Sequence, residues 1–148
     1  MNKVITPILL FGVLVISRLM PLPPNSEVLL GLGVVAPYIS KSNWSIMFPA
    51  LIMFVGDIFL GFHNSMLMTY TALTLAGVIS KVLVDKLYTS LLCSWLVWHV
   101  LANVGQTYAP FTAESLIFDI RLLVSGLSVV VMYDLLRRGW QIASRRVY

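Results

Sequence analysis

Charge is scarce in this chain. Asp, Glu, Lys and Arg together make up 11% of its 148 residues, less than half the share of a typical soluble domain. With 59% hydrophobic residues and a mean hydropathy of +0.90, the chain cannot cover a water-facing surface and reads as an integral membrane protein. Cysteine is almost missing. Cys93 is the only one, which excludes an intramolecular disulfide and a multi-cysteine metal site; within an apolar segment it reads as a small core residue. A glycine-rich phosphate loop, a His-Glu-x-x-His helix and a serine elbow are all lacking, so no enzyme and no ATPase is expected and active transport would need a partner subunit. His63 and His99 with Asp57 or Asp119 fit no metal-binding spacing, and no cofactor is expected. The N-terminus starts like a signal peptide, with Lys3 and an apolar stretch. Arg18 and Pro21-Leu22-Pro23-Pro24 then stand where small cleavage-site residues belong, so the segment is expected to stay in place.

What the chain has is a series of apolar runs. Residues 4–17 form the first, which reaches the roughly 20 residues of a span only by extending to Met20. Residues 21–27 (PLPPNSE) force a turn or an extended loop, with Asn25 or Ser26 placed to cap the helix that follows. Residues 28–39 make a short apolar segment holding Gly31, Gly33 and Pro37, small enough for close helix packing in lipid. Further spans are expected over residues 45–61, 66–84, 87–105 and 115–136. The whole chain, 1–148, reads as a single all-α transmembrane domain of about six helices.

Six spans put both termini on one side. Lys3, Lys41, Lys81, Lys86, Arg137, Arg138, Arg145 and Arg146 then share that side, and only Arg18 and Arg121 fall on the other. This distribution marks the termini as cytoplasmic. The basic C-terminus faces anionic lipid headgroups in this reading, and nucleic acid is excluded as a partner because no soluble domain presents the charge.

The opposite, outer side collects the remaining polar groups. The run 48–70 (FPALIMFVGDIFLGFHNSMLMTY) is apolar apart from Asp57 and the break at Gly61-Phe62-His63-Asn64. An ionisable residue inside a span costs about 3 kcal/mol on insertion scales and is a functional candidate by default. The ligand-binding candidates are Asn25, Asp57, His63, Asn64, Trp95, His99, Asn103 and Tyr108. A few placed polar groups among aromatic walls are what a small-molecule pocket needs. Plainer readings stand beside these. Asp57 either binds a ligand or proton or pairs with Arg18 or Arg121. His63 either senses or binds, or merely ends a helix. Trp95, His99 and Asn103 share a helix face that either lines a cavity or packs. Arg18, Asp119 and Arg121 are expected in structural ion pairs; Asp119 and Arg121, two apart, need partners from other segments. Tyr70, Met66 and Met68 read as packing.

Two pieces carry a family resemblance: Arg18-Leu19-Met20-Pro21-x-Pro23-Pro24-Asn25, and Gly56-Asp57-x-x-Leu60-Gly61-Phe62-His63 after Pro49. Tyr70, Gly77, Asn103 and Tyr108-x-Pro110 extend the likeness more weakly. The chain resembles a family of small uncharacterised bacterial proteins assigned to transport, themselves similar to the substrate-binding S components of energy-coupling factor (ECF) vitamin transporters. The resemblance implies a six-helix bundle in the bacterial cytoplasmic membrane with an outward-facing pocket for a vitamin-like solute. It also implies a shared coupling subunit and two ATPases as partners. The Ala-x-x-x-Ala pattern of S-component first helices is absent from residues 4–17. A competing class is an accessory subunit of a larger membrane complex, its polar groups settling helix contacts or holding lipid or pigment.

Overall fold

The computed structural model describes residues 14–16, 19, 28–83, 85–104 and 112–145. The described residues are helical, with no strand among them. Five helices follow in order: α1 (Leu29–Ile39), α2 (Trp44–Leu60), α3 (Met66–Val82), α4 (Leu87–Val104) and α5 (Ala113–Arg145). The expected first span, residues 4–17, lies largely outside the described residues.

Short connections set the topology. α2 and α3 form an antiparallel hairpin, closed where Gly61 takes φ +96° and its N–H bonds the Asp57 carbonyl at 2.9 Å. That backbone region suits glycine alone among common residues. At the far end of the hairpin, Lys81 Nζ donates to Asn43 Oδ1 at 2.8 Å. α4 and α5 form a second antiparallel hairpin, tied at its far end by Tyr88 donating to Asp134. Between α3 and α4, Lys86 N–H bonds the Leu83 carbonyl at 3.0 Å and Asp85 adopts φ 66°.

α1 sits in the middle. It packs on α2, α3, α4 and α5, whereas α2 touches neither α4 nor α5 among the described residues. Its glycines explain how one short helix meets so many neighbours. A Cβ on Gly31 would lie 2.6 Å from the Gly126 carbonyl oxygen of α5, and one on Gly33 would lie 3.2 Å from Ala76 Cβ of α3. α3 meets α2 the same way, at Gly77 against the Ile46 backbone. Backbones this close are the mark of small-residue helix packing. Leu29, Leu30, Val34, Ile52, Leu73, Leu91, Leu122 and Val130 fill the space between.

Outside this core the helices stay apolar. Phe54, Ile58, Phe59, Leu67, Leu92, Leu96, Val100, Val124 and Met132 are exposed. Two helices, over Leu87–Val104 and Ala113–Ile142, are long and apolar enough to cross a membrane. Four helices keep the boundaries expected from the sequence to within two residues. α5 departs: it runs on to Arg145, past the expected stop at 136. Gly139 weakens this stretch without breaking it, and Arg138 bonds Asp134 one turn back at 2.8 Å, an i,i+4 pair that continues the helix.

Candidate functional site

Both buried carboxylates of the described residues lie at the same end of the bundle, where the two hairpins turn. Asp57 is 1% exposed and Asp119 3%. Each has a histidine beside it, and the two groups are separate.

The first group belongs to the α2–α3 hairpin. Tyr70, one turn into α3, donates its hydroxyl hydrogen to Asp57 Oδ2 at 2.7 Å. His63, in the connection, places Nε2 at 3.8 Å from the same oxygen. Its Nδ1 shares a hydrogen bond of 2.9 Å with Ser65 Oγ, just before α3 begins. The His63 side chain is 40% exposed, so the group reaches the surface through the imidazole. Phe54 meets Tyr70 edge-on and Phe62 in a stacked arrangement, both with centroids 6.4 Å apart, giving an apolar wall behind the acid. Asn64 is exposed in the same connection.

Asp57 is held against the electrostatics of its own helix. It lies in the last turn of α2, where the helix dipole disfavours negative charge, and burial adds a further cost. A carboxylate kept at such a place needs a donor, and Tyr70 supplies one, with the His63 imidazole 3.8 Å from the same oxygen.

The second group joins α4 to α5. His99 Nδ1 donates to Asp119 Oδ2 at 2.5 Å. Asn103, one turn further along α4, gives Nδ2–H to the His99 carbonyl at 2.7 Å and lies 3.4 Å from Asp119 Oδ2. Trp95 Nε1 donates to the Asp119 main-chain carbonyl at 2.6 Å, and its indole stacks on the His99 ring. Trp95, His99 and Asn103 thus share one face as expected, and that face is spent on Asp119. This acid lies in the second turn of α5, past the first turn where the helix dipole acts, so its side-chain partners carry its stabilisation. The group works as a clasp between two helices.

The expected ion pairs resolve differently. Asp119 pairs with a histidine from α4. Arg121 is exposed with its guanidinium 5.6 Å from the Phe118 ring centroid, and no carboxylate pairs with it among the described residues. Arg18, Asn25 and Tyr108 lie outside the described residues. Sequence reasoning missed Tyr70, which it read as packing. The signal was there: Asp57 and Tyr70 stand nearly equally far from His63, so an antiparallel hairpin brings them level.

Among the described residues no three His, Cys, Asp or Glu side chains gather as metal ligands. Away from both acids, α5 carries an open apolar groove of about 500 Å³ lined by Val124, Leu127, Ser128, Val131, Met132 and Leu135. Its one hydroxyl, on Ser128, bonds back to the Ser125 carbonyl.

Residues 1–128 match the profile of a family of unknown function, DUF6580. No curated protein matches the chain, and no solved structure does. The chain belongs to the DUF6580 family.

Proposed function

We propose that the protein is a multi-pass protein of the bacterial cytoplasmic membrane that binds a small, vitamin-like solute from outside, in the manner of an ECF S component. Asp57 carries this reading. It is a buried carboxylate in the last turn of an apolar helix, reached from the surface through His63 and backed by Tyr70 and two phenylalanines. Its insertion cost of about 3 kcal/mol is more than a packing helix would bear without return. The exposed apolar side chains on α2 to α5 are the surface that lipid accepts, supporting several spans.

In this reading residues 4–20 and the five helices make six spans, with both termini in the cytoplasm. The acid-bearing end faces outward, and Lys41, Lys81, Lys86 and Arg137 face inward. A coupling subunit and ATPases would supply the energy, since the chain has no nucleotide motif of its own.

One observation favours a second reading, an accessory subunit of a larger membrane complex. The His99–Asp119–Asn103–Trp95 group is satisfied between two helices of the same chain, as a scaffold's polar groups are. The single pocket expected to unite Asp57 with Asn103 would have to bridge helices that do not touch.

The test is purification of the tagged protein and of Asp57→Asn in mild detergent, with mass spectrometry of all proteins and small molecules retained. The uptake reading expects one stoichiometric solute, or a coupling subunit with ATPases. It also expects the solute to be missing from a folded Asp57→Asn. Recovery of both proteins in one large assembly, with identical lipid or pigment, would make the chain a structural subunit.

A further inference from the structure

The C-terminal part of α5 leaves the bundle. At 1.5 Å per residue its 33 residues extend about 50 Å, against a hydrocarbon core of about 30 Å. Tyr88–Asp134 at 3.0 Å and Arg137–Asp85 at 4.0 Å tie it to other parts of the bundle. Beyond them, residues 139–142 are exposed on every side, and a Cβ on Gly139 would meet nothing within 4 Å.

This extension is amphipathic. At 100° per residue, Met132, Leu135, Leu136, Trp140 and Ile142 fall within an arc of roughly 160°, and Asp134, Arg137, Arg138 and Gln141 occupy the opposite side. The apolar arc is open: Leu135 is 64% exposed, Leu136 67% and Trp140 78%. It continues the groove that starts at Val124 and ends at Leu135. The same end of the bundle carries Lys41, Lys81 and Lys86, all partly or fully exposed, against only Asp85 and Asp134 among the described acids there. Basic side chains with a tryptophan and aliphatics on the other face of a helix are the composition that lies in a membrane interface.

We propose that residues 134–142 of α5 form a surface anchor, with Leu135, Leu136, Trp140 and Ile142 sunk at the lipid boundary. Arg137 and Arg138 then bind anionic phospholipid headgroups on the cytoplasmic leaflet. The choice of lipid over a second copy follows from charge. Two copies meeting along this arc would bring their arginine flanks together, whereas an anionic leaflet neutralises them, and the ion pairs that now hold Arg137 and Arg138 are solvent-exposed enough to exchange. Gly139 lets the extension incline toward the leaflet, since a helix weakens at glycine and no neighbour restrains it there. The anchor does not depend on any solute.

The test uses the full chain reconstituted in vesicles of phosphatidylcholine, with and without phosphatidylglycerol. The emission of Trp140 is taken as the difference between the native protein and Trp140→Phe. With phosphatidylglycerol, Trp140 shifts to the blue, is quenched by lipids brominated near the headgroup, and is shielded from aqueous iodide. Neutralising Arg137 or Arg138 to Gln lowers the shielded-to-exposed ratio about fivefold per arginine. High salt reproduces that loss in the native protein, without relying on variants that disturb Asp134. Trp140 open to iodide in both vesicles overturns the anchor. So does shielding that ignores lipid charge and follows protein concentration, which would mean a second copy. Failure to enter vesicles at all would sink the membrane reading itself, whereas entry with Trp140 in water sinks only the anchor.

Discussion

Tyr70 reaches across the α2–α3 hairpin and gives its hydroxyl hydrogen to Asp57, 2.7 Å away. The two residues define the level at which an acid can sit in an otherwise apolar hairpin. Tyr70→Phe removes a donor from a buried carboxylate and costs about 1.5–3 kcal/mol of stability. Unfolding of both proteins in the same detergent measures the loss. In the Asp57→Asn background the same substitution costs less, because a neutral amide accepts a weaker bond; equal losses would mean that Tyr70 acts through packing alone.

The His99–Asp119 clasp is separate from the solute site proposed at Asp57. His99→Ala leaves Asp119 buried with a donor missing and destabilises the α4–α5 hairpin by about 1–3 kcal/mol. Any solute retained through Asp57 stays bound in the surviving folded fraction. Loss of solute from a fully folded His99→Ala would place His99 in the pocket.

Glycines at two points of α5's surroundings respond in opposite directions to the same methyl group. Gly31→Ala presses a Cβ to 2.6 Å from the Gly126 carbonyl and costs about 1–3 kcal/mol as α1 and α5 are forced apart. Gly139→Ala meets nothing and raises local helix stability by about 1 kcal/mol. Thermal unfolding compares the first with the native chain, and hydrogen exchange over 134–142 reads the second.

Ser80 has a buried hydroxyl with no hydrogen-bond partner among the described residues. Ser80→Ala removes a group that costs desolvation and returns nothing, so stability stays level or rises by up to about 1 kcal/mol. A drop larger than that would show that the hydroxyl has a partner after all.

Much of this architecture was legible in the chain. The all-helical class followed from apolar runs of helix length, and the ends of α1 to α4 from the breaks at Ser40–Asn43, Gly61–Asn64 and Asp85–Lys86. The apolar run of the last span ends at Leu136, yet the charge that begins at Arg137 does not break a helix when Asp134 and Arg138 pair along it. The site was harder. Collecting Asp57, His63, His99, Asn103 and Asp119 at one end required only alternating helix directions. Their division into two groups depends on which helices touch, and helices apolar all round give periodicity no face to mark. Only hairpin partners were within reach, as Asp57 and Tyr70 illustrate by their distances from His63.

The glycine contacts of α1 also bear on motion. Where Gly31 faces Gly126 and Gly33 faces Ala76, backbone lies close to backbone, and the neighbouring Leu30 and Val34 side chains are fully buried in one cluster with Leu73, Leu91 and Val130. Helices packed through interdigitated side chains resist lengthwise displacement and jump between discrete states. α1 is therefore pinned between its neighbours, because lengthwise travel would force its buried leucines and valines past the side chains of α3, α4 and α5. Its far end is held as well, by the hydrogen bond from Tyr38 to the Leu83 carbonyl and by the Tyr38 ring against Tyr133 of α5.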